Sequence, residues 1–208
     1  MPVKLAIFDV DGTLLRGDTA CLWMSRRLGN FERMSELERS PTRDHVIAAR
    51  HEMAGWYSAS SPDELLGDMN NFPWAPGIFE GIRELQQNGV TIALASLGWD
   101  FVVEKIARLF GITHTLATTL DFETSDVGHV WNNHKSEYGS KLSNELGIPA
   151  SQIAGIGDRP NDFDLLDFAG HGIYVGPNSP PAEKNYTHIP NADIREIAEA
   201  ILIGVPIS

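Results

Sequence analysis

Through most of the chain, short apolar runs alternate with apolar residues at helical spacing. Val3 to Phe8 is apolar except for Lys4, which suits a strand covered on both faces of a parallel sheet. Val90–Ala95 and Ile153–Gly157 repeat that pattern, and Ile112–Ala117 and Ile173–Val175 are shorter versions of it. Between these runs the period changes. Ile78, Ile82 and Leu85 mark one helix, and Phe101, Ile106 and Leu109 a second. Lys135–Leu146, Asp162–Ala169 and Asp193–Ile203 are further helical stretches. Gly89, Gly111 and Gly147 stand just past three of them, where a chain leaves a helix. Residues 119–133 carry turn residues with room for a hairpin. Strands alternating with helices predict an α/β fold with a doubly wound, mostly parallel sheet.

One segment breaks the alternation. Arg16 to Gly77 shows no strand pattern, only helical stripes. Cys21, Met24 and Leu28 form one, closed by Gly29-Asn30. Phe31, Met34 and Leu37 form another before Ser40-Pro41, and Val46, Ala49 and Met53 a third before Gly55. Ser61-Pro62-Asp63-Glu64 has the residues of a capping box. Pro73 and Pro76 then interrupt any helix. The expected organisation is a small helical cap domain, residues 17–77, inserted after the first strand of a core domain made of 1–16 and 78–208.

Composition narrows the function classes. The 208 residues carry 28 acids against 16 bases, a net charge of −12. Nucleic acids and anionic membranes call for a basic face, so neither is an expected partner. Cys21 is the only cysteine, which rules out an internal disulfide. No secretory leader pattern opens the chain and no apolar run approaches the ~18 residues of a membrane span, so a cytoplasmic location is expected.

The candidate chemistry lies at the carboxyl ends of the strands, where open α/β sheets place their sites. The first strand runs into Asp9-Val10-Asp11-Gly12. Two like charges at the mouth of an apolar strand repel unless something compensates them, most simply a metal cation. Asp158 follows an apolar strand in the same way, and with Asp162 is placed to complete a hard-cation site with Asp9. Each also has a plainer reading as a helix cap. Ser96 ends the second strand and is a candidate to hold a phosphate oxygen. Lys135 and Lys141 both lie on the helix before the Asp158 strand, and either would neutralise a phosphate or the acids.

Together these residues resemble the haloacid dehalogenase-like hydrolase superfamily. Asp9-Val10-Asp11-Gly12-Thr13-Leu14 is similar to its first motif, Ser96 to its second, and Gly157-Asp158-Arg159-Pro160-Asn161-Asp162 to its fourth. The closest likeness is to phosphoserine phosphatase-type enzymes, which insert a small helical cap after the first motif. The resemblance selects Lys135 over Lys141 as the third-motif lysine, because it precedes Asp158 by 23 residues. It implies a Mg²⁺-dependent phosphatase acting on a small phosphomonoester, with phosphotransfer or mutase chemistry as the alternative. Asp9 would be the nucleophile and Asp11 the general acid and base. The metal would be held by Asp9, Asp158 and the backbone carbonyl of Asp11, and the phosphate by Ser96, Leu97 and Lys135. Asn161 and Asp162 would support the metal loop. An acid at position 11 favours phosphoryl chemistry, since the family's dehalogenases lack one there.

The chain departs from the phosphoserine phosphatase pattern where substrate is chosen. Ser96-Leu97-Gly98-Trp99 replaces the usual Ser-Gly-Gly-Phe, so Leu97 is expected to narrow the phosphate end. Trp99 is a candidate substrate contact, although the tryptophans are chiefly expected to pack. Asp18 stands where the relatives carry a Glu that meets the substrate amine. Arg50 is the candidate for their carboxylate-binding arginine.

Overall fold

A computed structural model describes residues 1–39, 42–191 and 193–203. Seven strands form one sheet in the order β4-β3-β2-β1-β5-β6-β7, and every described pair is parallel except β3 with β4. The strands are β1 (Leu5–Phe8), β2 (Thr91–Trp99), β3 (His114–Leu120), β4 (Val127–Gly128), β5 (Ile153–Gly157), β6 (His171–Tyr174) and β7 (Thr187–His188). After β1 the described chain first forms four helices: α1 (Ala20–Leu28), α2 (Phe31–Leu37), α3 (Arg43–Tyr57) and α4 (Pro62–Leu66). Five more wrap the sheet: α5 (Ile78–Gln87), α6 (Asp100–Phe110), α7 (Asn132–Leu146), α8 (Phe163–Phe168) and α9 (Ile194–Ile203). The doubly wound α/β architecture is therefore as the apolar pattern predicts.

Side-chain alternation along β1 divides the core into two layers. Leu5 and Ile7 pack with Leu142 of α7 and with Leu165 and Leu166 of α8. Ala6 and Phe8 face the other way, into a cluster with α5, α6 and α9 that also takes in Met24, Met34 and Met53 of the inserted helices. All four β1 side chains are fully buried, which is why this strand reads as continuously apolar.

The register of β1 sets the position of the site. Phe8 lies level with Leu94 on one side and Ile156 on the other, and the Asp9 N–H donates to the Ile156 carbonyl at 2.9 Å. Residues just beyond Phe8, Ala95 and Ile156 thus emerge side by side at one edge of the sheet.

The local signals held at several points. Gly29, Gly111 and Gly147 close α1, α6 and α7 in the left-handed conformation, and Ser61 and Glu64 form the capping box of α4. The hairpin expected within 119–133 pairs Thr119 with Gly128 and Leu120 with Val127.

Other points differ. α3 runs through Gly55 to Tyr57, because Tyr57 is fully buried and packs edge-on against Trp99 and Phe101. β2 does not stop at Ala95. It continues through a bulge to Trp99, which pairs with Thr118. Leu109 lies on the exposed face of α6, and the two-residue β7 was too short to leave a periodic signal. Ser40-Pro41, read as the end of the second stripe, lies outside the described residues. Among the described residues no helix is long and apolar enough to cross a membrane.

The central strands and the inserted helices should respond differently to truncation. Ile156→Ala, in a fully buried position beside β1, should cost about 2–5 kcal/mol in urea unfolding. Ser61→Ala should cost about 1 kcal/mol, as loss of one helix cap.

Candidate active site

Three strand ends and one helix meet at a cavity of about 220 Å³. Asp9 and Asp11 come from the end of β1, Ser96, Leu97 and Gly98 from the bulged part of β2, and Asp158, Arg159, Asn161 and Asp162 from the turn after β5. Lys135 enters from the first turn of α7. The inserted helices supply the opposite wall through Cys21, Met34, Leu37, Val46, Ala49, Arg50 and Met53, with Thr19 and Glu38 at their ends. Five carboxyl side chains (Asp9, Asp11, Glu38, Asp158, Asp162) face three bases (Arg50, Lys135, Arg159).

The acids are brought together by backbone that only glycine permits. Gly12 has φ +96°, and a Cβ there would stand 2.2 Å from a carboxylate oxygen of Asp158. Without that side chain the β1 turn and the β5 turn close on each other, and carboxylate oxygens of Asp9, Asp158 and Asp162 lie within 4.8 Å of one another.

Lys135 holds this group. It is 1% exposed, and its Nζ donates to Asp9 Oδ1 at 2.7 Å and to Asp162 Oδ1 at 2.5 Å. Burial disfavours its charge, but the two carboxylates outweigh that and hold it above the ordinary lysine range. The second oxygen of Asp162 accepts the N–H groups of Asp158 and Arg159 at 3.0 and 3.1 Å, so it fixes the turn. Asp162 therefore spends both oxygens inside the protein.

Asp9 and Asp158 do not. Asp9 Oδ2 and Asp158 Oδ1 are buried without a hydrogen-bond partner. Burial is the largest influence on both. It pushes Asp158 up to about 6, and it raises Asp9 together with repulsion from Asp162, against the pull of Lys135. Two orphaned buried carboxylate oxygens from separate turns fit a hard divalent cation, which prefers oxygen ligands.

Asp11 is placed differently. Its Oδ1 accepts the N–H of Ala20, the first residue of α1, at 2.7 Å. Gly98 passes close to Oδ2, and a Cβ there would sit 3.1 Å from it and 3.2 Å from Ser96 Oγ. Asp11 thus shares one end of the cavity with Ser96, and burial raises its pKa. Ser96 is buried, and its Oγ accepts the Gly98 N–H at 3.0 Å. The Asn132 amide donates to Asn161 Oδ1 at 3.3 Å, at the rim of the turn.

The substrate-contact expectations fare unevenly. Arg50 does line the cavity, but its guanidinium is engaged by the backbone: Nη2 donates to the carbonyls of Leu97 and Val130 at 2.9 and 3.2 Å. Burial lowers it to about 10. Asp18 lies outside the cavity lining and pairs with Arg26 at 2.9 Å. Trp99 is 2% exposed and packs against Tyr57, because β2 continues to it and turns its ring into the core.

The acid that the inserted segment brings to the cavity is Glu38, which sequence reasoning missed. It accepts a hydrogen bond from the Thr19 hydroxyl, and burial raises its pKa against that bond. Its signal was its place one turn past the buried Met34, an acid continuing an apolar stripe.

The chain is 24% identical over 196 residues to a phosphoserine phosphatase of Streptomyces coelicolor, covering 89% of this chain and 46% of that protein. It therefore spans about half the length of that curated relative. It is 27% identical to a phosphoserine phosphatase of Methanocaldococcus jannaschii over 95% of this chain and 97% of the other. A solved phospho-aspartyl intermediate analogue of phosphoserine phosphatase superposes with a TM-score of 0.77 at 22% identity, covering 96% and 99% of the two chains, a likeness of fold. Residues 6–167 match the family model for haloacid dehalogenase-like hydrolases, and the chain belongs to that family.

Proposed function

We propose that this chain is a Mg²⁺-dependent phosphatase that hydrolyses a small phosphomonoester through a phosphorylated Asp9. The observation that carries the reading is the buried lysine bridging Asp9 and Asp162, beside two carboxylate oxygens that have no partner. In this reading residues 17–77 form a cap whose apolar wall closes the cavity over the strand ends.

Asp9, Asp158 and the backbone carbonyl of Asp11 would hold the cation. When bound, it would offset the repulsion between the Asp9 carboxylate and a phosphate dianion. Asp9 attacks phosphorus, an Asp9–phosphorus bond forms, and the bond to the leaving oxygen breaks. Asp11 gives its proton to that oxygen. It then takes one from the water that cleaves the acyl phosphate, returning Asp9 and inorganic phosphate. Ser96, the Leu97 backbone and Lys135 stabilise charge on the phosphoryl oxygens. Two carboxyls are needed because the one bonded to phosphorus cannot shuttle the proton. The relatives named above are called phosphoserine phosphatases, which supports a small aliphatic phosphate as substrate. A cavity of about 220 Å³ suits a ligand of that size.

Purified protein with Mg²⁺ should release inorganic phosphate from an aryl phosphate without an added acceptor alcohol; a strict need for an acceptor would mean phosphotransfer instead. Asp9→Asn should reduce turnover by ~10³-fold or more. Asp11→Asn should lose about 10²–10⁴-fold while keeping the Mg²⁺-induced rise in Tm, since only its carbonyl is assigned to the metal.

Stability should report the same acids. The pKa of Asp158 is raised from 3.8 to about 6, so between those values the folded state binds a proton that the unfolded state releases. Stability of the metal-free protein then falls as pH rises from about 4 to about 6, and the raised Asp9 extends the fall upward. The carboxylates whose pKa is lowered, such as Asp63 and Asp121, change stability only at lower pH. Protons compete with the cation for Asp158, so added Mg²⁺ should raise Tm more at pH 8 than at pH 5, as read by thermal scans.

A further inference from the structure

The cavity wall opposite the strand ends bears on the alcohol that leaves, and this inference rests on the phosphatase reading above. We propose that the leaving alcohol carries an ammonium group received by Glu38 and no carboxylate. The substrate class is then a small phosphorylated amino alcohol rather than a phosphorylated amino acid.

The state of Arg50 argues against a carboxylate. A guanidinium grips a carboxylate through a two-donor edge, either Nε with Nη2 or Nη1 with Nη2. Both edges include Nη2. Here Nη2 donates to the Leu97 and Val130 carbonyls at 2.9 and 3.2 Å, which uses both of its hydrogens. Nη1 stands 3.2 Å from His129 Nδ1. Withdrawing Nη2 would take the Arg50 donor from the buried Val130 carbonyl and leave the Leu97 carbonyl with Thr118 alone, at an arginine 6% exposed. The other arginine of the lining, Arg159, is paired with Asp158 Oδ2 at 3.2 Å.

Glu38 is in the converse position. One of its oxygens takes the Thr19 hydroxyl, and the other accepts no hydrogen bond from any described residue. Met34, Val46, Ala49 and Met53 line the same wall, and Glu38 stands exposed at its edge, where its second oxygen is open to a ligand. An ammonium there gains a charge-assisted hydrogen bond. The net charge points the same way. With five carboxyls against three bases, the ionised lining is negative, and a divalent cation is cancelled by the phosphate dianion. An ammonium on the leaving group reduces the remaining imbalance, whereas a carboxylate increases it.

Three esters that differ only in charged substituents separate the possibilities: O-phosphoethanolamine, O-phosphoserine and n-propyl phosphate, assayed with Mg²⁺ beside an aryl phosphate. The expected order of kcat/KM is phosphoethanolamine first, by at least ~10-fold over either of the others. Glu38→Gln should reduce that advantage over propyl phosphate ~10-fold, with Glu38→Asp restoring part of it. Phosphoserine as the best of the three, equal rates on all three, or an equal loss on all three in Glu38→Gln would overturn the inference while aryl phosphate turnover still supports the phosphatase. Absence of turnover on every ester, the aryl phosphate included, would overturn both.

Discussion

A lysine ammonium shut away from water needs carboxylates around it, and in this fold it chooses those that matter. Lys135 is 1% exposed and bonds to Asp9 and Asp162. Asp162 in turn holds the backbone of Asp158 and Arg159. The end of β1, the turn after β5 and the start of α7 are thereby joined in one charged network. Removing any member would leave a buried charge without its counterpart, which is far more costly than never having had the pair. The lysine also opposes the burial and repulsion that raise the Asp9 pKa, so it favours the ionised carboxylate.

The inserted helices reach the same centre from the other side. The first N–H of α1 holds Asp11, and Thr19, which caps α1, also bonds Glu38 beyond α2. Arg50 of α3 reaches the Leu97 carbonyl, which Thr118 of β3 also supports at 2.9 Å. The helices therefore touch both the Asp11 carboxyl and the Leu97 backbone. A shift of these helices would disturb both contacts.

The sheet was legible because a strand covered on both faces leaves an unbroken apolar run, and the carboxylates stand out at the ends of such runs. Asp9, Asp11 and Asp158 were visible for that reason. Spacing alone left Lys135 and Lys141 level, and the family resemblance decided between them. The structure buries Lys135 against Asp9, whereas Lys141 pairs with Glu145 at the surface. The substrate end was less legible. Asp18 and Trp99 were placed by alignment to a motif, but side-chain direction depends on backbone detail. The bulge in β2 turns Trp99 inward, and Asp18 finds a nearer partner in Arg26. Glu38 sat at a helix end where an acid is ordinarily solvated, and only the packing of α2 beside the cavity brings it into the lining. Gly55 misled in the opposite sense, since a glycine stops a helix only where the chain has reason to turn.

The most direct test of the account is to trap the phosphorylated enzyme. Protein mixed with a ³²P-labelled ester and Mg²⁺, quenched in acid within milliseconds and digested, should carry label on the peptide that contains Asp9, and Asp9→Asn should carry none. Label on a different residue, or rapid phosphate release with no covalent label at any quench time, would contradict it.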